Sequence, residues 1–251
     1  MLFIAHRGAS RDAPENTLAA LDLAWQQGAD AAEVDIQISR TGRLVVFHDP
    51  NTVRITGHNR LVSQLTLQQL RRLDAGSWKH PRWSGARIPT LAEAFDLVPA
   101  HRRLFVEIKC AATCVPEWTR VFQRSGLRPD QVVPIGFDLP TLRLLKSALP
   151  RLETCLVTRF RRSWKSGRWN PPLTRLIHDV LEAGLDGLDL GAHRLLTPAQ
   201  VRLIHQTGLK VYVWTVDSPA LARKFQAAGI DGLTTNRPGW LRRQLNQPPT
   251  C

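Results

Sequence analysis

Short apolar runs alternate with amphipathic stretches from one end of the chain to the other. The apolar runs are typical of buried strands, and each is followed by residues with a helical period that ends near a glycine or a proline. The predicted strands are Leu2–His6, Ala31–Ile38, Leu104–Ile108, Val132–Ile135, Thr154–Val157, Leu185–Leu190, Lys210–Thr215 and Ile230–Thr234. The helices predicted between them include Thr17–Gln27, Pro140–Ala148, Pro172–Ala183, Pro198–Gln206 and Pro219–Ala228.

This alternation predicts an α/β fold with about eight β–α units. Strands that alternate with helices favour a parallel sheet covered by helices, and eight units favour a closed TIM (β/α)8 barrel. An open doubly wound sheet is the alternative, but no glycine-rich dinucleotide-binding pattern follows the first strand. Barrels of this kind use about 250 residues as one domain. We therefore expect residues 1–251 to form a single barrel domain.

One stretch interrupts the alternation. After the second strand, Thr41-Gly42 predicts a turn and Leu44–Phe47 a returning strand, so that a hairpin forms. Between Asp49 and Leu91 the chain has no clear strand and only a short helical piece at Leu67–Leu73. We interpret roughly residues 50–90 as a small insertion above the mouth of the barrel, after this hairpin.

The formal net charge of +13 indicates attraction to anions such as phosphate esters, membrane surfaces or nucleic acid. Only six of the 34 basic residues are lysine, and an arginine-rich composition is also what a GC-rich genome produces. The apolar start, Met1–His6, is too short for a signal peptide or a membrane span. These features predict a cytoplasmic protein.

A basic segment at residues 158–169 follows the fifth predicted strand and should overhang the catalytic face. Its five cations alternate with aromatic residues and are Arg159, Arg161, Arg162, Lys165 and Arg168. Such a segment can contact a membrane surface or a lysophospholipid, and a solvated loop is the alternative. It forms no recognised nucleic-acid-binding module, so we expect no nucleic-acid partner.

Charged residues collect where the predicted strands end, which is where TIM barrels place their active sites. Glu33 and Asp35 in the second strand point the same way, as do Glu107 and Lys109 in the third. Three carboxylates that converge inside a barrel repel one another unless a cation lies among them. Oxygen ligands select one hard divalent cation, Mg²⁺ or Ca²⁺. The alternative is a structural ion-pair network with Arg7 and Lys109.

Two histidines are expected beside these carboxylates. His6 ends the first strand, and the predicted hairpin brings His48 beside Asp35. Such a pair supplies a general acid and a general base at neutral pH. Arg7 and Lys109 suit a phosphoryl group whose negative charge must be held during displacement. Together with a hard metal ion, these residues favour phosphoester chemistry.

The motifs along the chain resemble the glycerophosphodiester phosphodiesterase family in order and spacing. The matching motifs are His6-Arg7-Gly8, Pro14-Glu15-Asn16-Thr17, Gly28-Ala29-Asp30, Glu33-Val34-Asp35, His48-Asp49, Arg54-Ile55-Thr56-Gly57, Leu73-Asp74-Ala75-Gly76, Ile88-Pro89-Thr90-Leu91, Glu107-Ile108-Lys109 and Val213-Trp214-Thr215-Val216. The resemblance implies hydrolysis of glycerophosphodiesters to glycerol 3-phosphate and an alcohol. It implies that His6 and His48 are the acid/base pair and that Glu33, Asp35 and Glu107 are the metal ligands. It assigns substrate or phosphate binding to Arg7, Lys109 and Trp214.

The chain departs from the family pattern at two places. The family often has Ser-Phe-Asp where this chain has Gly136-Phe137-Asp138. Near the last strand the family often has an aspartate, where this chain has Thr235-Asn236-Arg237-Pro238. Two alternatives to the predicted function are a lysophospholipase D-like enzyme at membranes and a non-catalytic barrel that binds a phosphorylated ligand. Either histidine can be the acid, and either water or a substrate hydroxyl can be the nucleophile.

Overall fold

Eight parallel strands close into a barrel in the computed structural model, which describes residues 1–159, 161–162, 167, 169–193 and 196–246. The strands are β1 (Leu2–Ala5), β2 (Ala31–Ile38), β3 (Leu44–Val46), β4 (Arg103–Ile108), β5 (Val132–Gly136), β6 (Cys155–Thr158), β7 (Arg161–Arg162), β8 (Trp169–Asn170), β9 (Gly187–Gly191), β10 (Lys210–Trp214) and β11 (Gly232–Thr235). The barrel order is β1-β11-β10-β9-β6-β5-β4-β2, and β1 also pairs with β2. The predicted TIM barrel is therefore confirmed.

Helices cover the outside of the barrel. They are α1 (Leu18–Gln26), α2 (Val53–Thr56), α3 (Leu67–Leu70), α4 (Leu91–Asp96), α5 (Val115–Arg124), α6 (Leu139–Ala148), α7 (Leu173–Glu182), α8 (Pro198–His205), α9 (Pro219–Ala228) and α10 (Pro238–Asn246). Side-chain oxygens of Thr17, Asp138 and Thr197 accept backbone N–H groups at helix starts, which explains why the helices begin there. Within the described residues, no helix is both long and apolar enough to cross a membrane.

Three predicted strands begin later than the apolar pattern suggests: β6, β9 and β11, the last of which begins at Gly232 and not at Ile230. The Thr154 backbone N–H donates to Asp186 Oδ2 at 2.7 Å, so it is bound by a side chain before the ladder of β6 begins. The Leu185 backbone N–H donates to the carbonyl oxygen of Val180, which belongs to α7. Leu185 therefore ends a helix turn, and β9 begins at Gly187.

The inside of the barrel is filled with side chains. The interior cluster comprises Ile4, Ala31, Phe105, Val133, Ile135, Cys155, Val157 and Tyr212. Phe105 and Tyr212 meet edge to face with their ring centroids 5.0 Å apart. Near the amino ends of the strands, Glu153 accepts from the Tyr212 hydroxyl at 2.5 Å and from Arg103 at 2.9 Å. Because this packing fills the lower barrel, room for a ligand inside the barrel is left near the carboxyl ends of the strands.

The hairpin after β2 forms as predicted. β3 pairs antiparallel with β2, with Ile38 opposite Leu44. The Phe47 backbone N–H donates to the carbonyl oxygen of Asp35 at 2.9 Å, which places the following residue, His48, at the barrel mouth. The hairpin thus carries a side chain from outside the parallel sheet to the strand ends.

The predicted insertion follows this hairpin and has a small apolar core of its own. That core comprises Val45, Phe47, Ile55, Val62, Leu70, Ala75 and Ile88. Asp74 accepts the backbone N–H groups of Gly76, Ser77 and Gly85, which holds one turn of the insertion together. The insertion reaches the mouth through Lys79, whose ammonium group donates to the carbonyl oxygen of Ser10 at 2.8 Å.

Candidate active site

Three buried carboxylates meet at the carboxyl ends of adjacent strands. Glu33 and Asp35 belong to β2, Glu107 belongs to β4, and Asp35 is the register partner of Glu107. One oxygen from each of the three lies within 4.8 Å of the others. We call these three residues the carboxylate cluster. The period-two pattern that suggested their common direction therefore corresponds to a real juxtaposition.

Burial and mutual repulsion make this cluster costly to ionise. Burial, and next the charge of Asp35, raise the pKa of Glu33 well above its ordinary value and that of Glu107 to about 7. Burial also opposes ionisation of Asp35, but Arg7 and Lys109 hold the pKa of Asp35 below its ordinary value. The three carboxyl groups therefore differ in charge near neutral pH unless further positive charge is present.

The cluster fits a divalent cation. Glu33 Oε1 and Asp35 Oδ1 are buried and accept no hydrogen bond, although the Lys109 ammonium group lies 3.3 Å from Asp35 Oδ1 as an ion-pair partner. Buried carboxylate oxygens without partners are rare in folded proteins because they lose their hydration. A hard cation such as Mg²⁺ or Ca²⁺ would satisfy them and offset the repulsion, since both ions prefer carboxylate oxygens.

A left-handed turn after β1 brings Arg7 to the cluster. Arg7 has φ 55° and Gly8 has φ 77°. A Cβ at position 8 would lie 2.5 Å from the carbonyl carbon of Ala20, so only glycine lets this loop approach α1. The turn directs the Arg7 backbone N–H to Glu33 Oε2 at 2.9 Å and leaves Arg7 Nε 3.0 Å from Asp35 Oδ2.

Lys109 supplies the second cation at the end of β4. Its ammonium group contacts Glu107 Oε1 and lies 3.3 Å from Asp35 Oδ1. Burial opposes its charge, but the neighbouring Asp35 and Glu107 raise the pKa of Lys109 above its ordinary value. Two permanent positive charges therefore face the carboxylate cluster from different strands.

Asn16 holds Asp35 from two directions. Its amide nitrogen donates to Asp35 Oδ2 at 2.9 Å, and its amide oxygen accepts the Asp35 backbone N–H at 3.1 Å. Asn16 is buried and has φ 58°, a left-handed conformation that asparagine tolerates better than most residues. This loop residue therefore fixes the orientation of the central carboxylate.

The His6 ring lies at the mouth, partly buried between loops from both ends of the chain. Its Nδ1 is 2.7 Å from Asn236 Oδ1. Burial, and next the charge of Arg7, lower the pKa of His6 below 6.5. His6 is consequently a neutral ring near pH 7, which suits it to accept a proton.

The His48 ring has a charged partner instead. Its Nδ1 is 2.5 Å from Asp49 Oδ1, and Arg54 Nε donates to the other oxygen of Asp49 at 2.6 Å. Arg54 also binds Glu15, which in turn accepts from Arg7. A series of residues with alternating charges thus links His48 to Arg7.

Trp214 lies at the end of β10, as the sequence predicted. Its indole N–H donates to the carbonyl oxygen of Asp189 at 3.1 Å, and Phe137 meets its ring edge to face at 5.8 Å. The aromatic pair therefore offers apolar ring surface to a ligand. Its predicted contact with substrate stays a prediction.

Two cavities flank the site. One of about 350 Å³ adjoins His6 and is also lined by Arg7, Glu15, Trp78 and Lys79. The other, of about 520 Å³, lies beside Phe137 and is lined by Thr158, Arg159, Asn170 and Pro171. The barrel mouth therefore has open space both beside His6 and beside Phe137.

Part of the predicted basic segment cannot be placed relative to these cavities. Phe160, residues 163–166 and Arg168 lie outside the described residues, and so do the side chains of Arg161 and Arg162. Of its five cations, Arg159 lines the cavity beside Phe137. The predicted membrane contact of this segment stays a prediction.

Several side chains of the site were not singled out in the sequence. Asn16 lies within the motif Pro14-Glu15-Asn16-Thr17, and Asp49 directly follows His48. Asn236 appears in the sequence only as a departure from the family pattern. The motifs mark where these residues are, but their contacts depend on loop conformations that no periodicity reveals.

Comparisons with known proteins identify relatives that match nearly the whole chain. The model of the glycerophosphoryl diester phosphodiesterase family matches residues 6–240. The YhdW protein of Bacillus subtilis is 32% identical over 245 residues, covering 96% of each chain. A glycerophosphodiester phosphodiesterase of Caldanaerobacter subterraneus is 31% identical, covering 94% of each chain. An Oleispira antarctica phosphodiesterase, solved with the product sn-glycerol-3-phosphate, is 27% identical with a TM-score of 0.87, covering 98% of this chain and 97% of its own.

Proposed function

Since the chain belongs to the glycerophosphoryl diester phosphodiesterase family, a family of phosphoric diester hydrolases, we propose that it hydrolyses glycerophosphodiesters to sn-glycerol 3-phosphate and an alcohol, with one divalent cation. The observation that carries this proposal is the carboxylate cluster, which faces two cations and two histidines at the barrel mouth. The Oleispira phosphodiesterase, which binds sn-glycerol-3-phosphate, supports the choice of substrate.

The cation would be held by Glu33, Asp35 and Glu107. When bound, it polarises a phosphoryl oxygen and neutralises the charge that develops there. Arg7 and Lys109 add positive charge from the protein itself and hold the phosphate group against the strand ends. Asn16 keeps Asp35 in place whether or not a ligand is present.

The two histidines have different partners and therefore suit different roles. The Asp49 carboxylate opposite His48 Nδ1 stabilises a positively charged ring through a charge-assisted hydrogen bond. His48 thus suits the general acid, which gives a proton to the leaving alcohol oxygen. His6 is neutral because of its burial and the neighbouring Arg7, so it suits the general base that takes a proton from the nucleophile.

The nucleophile is either water or a hydroxyl of the glycerol arm. Attack by water gives glycerol 3-phosphate in one displacement, whereas attack by the hydroxyl first gives a cyclic phosphate that water then opens. In both routes His6 is the base and His48 the acid of the first displacement, and the two exchange roles when water opens a cyclic phosphate. Phosphorus NMR during turnover distinguishes them, because only the second route forms a cyclic phosphate.

The decisive experiment measures turnover of glycerophosphocholine and of a lysophospholipid by the purified protein, with and without a chelator. We expect glycerophosphocholine hydrolysis that the chelator abolishes and that Mg²⁺ or Ca²⁺ restores. Asp35→Asn should abolish it as well, whereas Asp179→Asn, on the outer helix α7, should not. Full turnover after chelation would contradict the metal requirement. Faster turnover of the lysophospholipid would favour the lysophospholipase D-like enzyme at membranes. If neither substrate is turned over, the non-catalytic barrel is favoured.

A further inference from the structure

A hydrogen-bonded series runs from the last two barrel strands to His6. Asp217 follows β10 and Asn236 follows β11. Asn236 Nδ2 donates to Asp217 Oδ2 at 2.6 Å, and Asn236 Oδ1 lies 2.7 Å from His6 Nδ1. The backbone supports this arrangement, since the His6 N–H donates to the carbonyl oxygen of Thr235 at 2.9 Å.

The partners of Asp217 require it to act only as an acceptor. Its Oδ1 accepts the Asn236 backbone N–H at 2.9 Å and the Thr235 hydroxyl at 2.8 Å. The Thr235 hydroxyl accepts the Arg237 backbone N–H at 3.2 Å, so its own proton is free to bind Asp217. The remaining oxygen, Oδ2, faces the Asn236 amide, and a carboxylate has no proton to give. The group opposite Oδ2 must therefore be the NH2 of Asn236.

This requirement determines the orientation of the Asn236 side chain. Because its NH2 faces Asp217, its oxygen must face His6. Ser10 agrees with this orientation, since its hydroxyl lies 3.0 Å from the same oxygen and can donate to it. An amide oxygen only accepts hydrogen bonds, so the nitrogen that faces it, His6 Nδ1, must carry a proton.

We propose that Asp217 and Asn236 are positioning residues that fix the neutral His6 ring with its proton on Nδ1. The lone pair is then on Nε2, the nitrogen that does not face Asn236. In the reverse tautomer, Nε2 would carry a proton and could not accept one. The claim that His6 Nε2 acts on a phosphodiester rests on the proposed function. The tautomer of His6 follows from the hydrogen bonds alone.

The same logic predicts that one substitution inverts the tautomer. In Asp217→Asn, the side-chain oxygen at position 217 stays with the two donors at Oδ1, the Asn236 N–H and the Thr235 hydroxyl. An NH2 group then replaces Oδ2 and faces the amide of Asn236. To avoid two facing donors, the Asn236 amide must turn over and direct its own NH2 to His6. Nδ1 then becomes the acceptor, and the proton moves to Nε2.

A second substitution should restore the original tautomer. In the double variant Asp217→Asn/Asn236→Asp, a carboxylate at position 236 accepts from the new amide and from His6 Nδ1 at once. The total charge equals that of the natural chain. The double variant therefore restores the acceptor opposite His6 without restoring either original residue.

The test is nitrogen-15 NMR of the histidine rings in the full-length protein with Mg²⁺, at about pH 8.5, where an ordinary imidazole is neutral. The His6 signals are assigned by their loss in His6→Gln. We expect the ring proton on Nδ1 in the natural protein and the double variant, and on Nε2 in Asp217→Asn. Asp179→Asn, which removes a carboxylate from the outer helix α7, should leave the tautomer unchanged. A natural protein with the proton on Nε2 overturns the proposal even if the variants do not fold.

Turnover gives a second reading. Asp217→Asn should lower kcat roughly 10- to 10²-fold with little change in KM, less than the 10²–10⁴-fold cost of losing a general base outright. The double variant should recover most of this loss. A merely structural role would leave the double variant as impaired as the single one, which would count against the proposal. If the tautomers change as expected but no diester is hydrolysed, the proposed function fails and the positioning role stands.

Discussion

Burial of the carboxylate cluster, and next the repulsion within it, should destabilise the protein measurably when no cation is bound. Burial and the neighbouring Asp35 raise the pKa of Glu107 to about 7, against an ordinary value of 4.5. At 1.36 kcal/mol for each unit of pKa, this shift corresponds to about 3 kcal/mol. The Glu107 side chain is only 11% exposed, so solvent screens this repulsion little.

The sign of the effect follows from which state binds the proton. Between pH 4.5 and about 7 the folded protein keeps Glu107 protonated, whereas the unfolded chain has released the proton. The free energy of unfolding of the metal-free protein therefore falls across this range as the pH rises. Below pH 4.5 the penalty is absent, and above about pH 7 it is complete. Glu33, whose pKa is also raised, acts in the same direction.

Glu107→Gln isolates the contribution of this carboxyl group. We expect the variant and the natural protein to have similar stability at pH 4.5 in EDTA. At pH 8 the variant should be more stable than the natural protein by up to about 3 kcal/mol, because an amide cannot ionise. Urea denaturation at several pH values measures this difference, and Glu182→Gln, at an exposed position on α7, controls for the loss of a carboxyl group.

Added Mg²⁺ should remove the difference. A cation that binds only the folded state at 100 times its dissociation constant stabilises it by about 2.7 kcal/mol. The natural protein should therefore lose most of its pH dependence in saturating Mg²⁺, while Glu107→Gln should respond far less. If the two proteins keep a constant difference in EDTA from pH 4.5 to 8, burial and repulsion do not disfavour the ionised form of Glu107 and the reasoning fails.

The other residues of the site give three further predictions. His6→Ala and His48→Ala should each lower turnover by about 10²–10⁴-fold, and near-natural turnover in either variant would contradict its role. The double variant should lose less turnover than the product of the two single losses, because both residues act on one reaction. Asn16→Ala should weaken Mg²⁺ binding in calorimetry by about 10–100-fold, and unchanged affinity would contradict its positioning role. Lys109→Met should lower kcat/KM by about 10²–10³-fold. The control Lys210→Met removes a charge at the opposite end of the barrel, and an equal loss there would indicate a general effect of charge.

The alternation of short apolar runs with helical segments was enough to predict the barrel. Each strand is buried on both faces, so its apolar run is nearly continuous and easy to recognise. The errors occurred at boundaries such as Leu185, where a helix turn and the following strand are both apolar. Periodicity cannot separate the two segments, because the single polar residue between them, Asp186, also fits the alternation of a strand.

The period-two rule also located the charged part of the site, because strands impose a direction on their side chains. Glu33 and Asp35 share one strand, and the register of β2 with β4 brings Glu107 beside them. No comparable rule covers loops. Asn16 reaches Asp35 only because its backbone is left-handed, and the sequence shows the residue without showing that conformation. Loop partners were therefore missed although they lie within motifs that the sequence displays.

The partners of the two histidines differ in how far along the chain they lie. Asp49 is the residue after His48, so His48 keeps this partner wherever the hairpin lies. Asn236 lies 230 positions from His6 and reaches it only because β11 pairs with β1, with Ala5 opposite Thr235. A slip of one residue in that pairing would turn the side chain away. The contact between His6 and Asn236 therefore forms only when the last strand closes the barrel against the first.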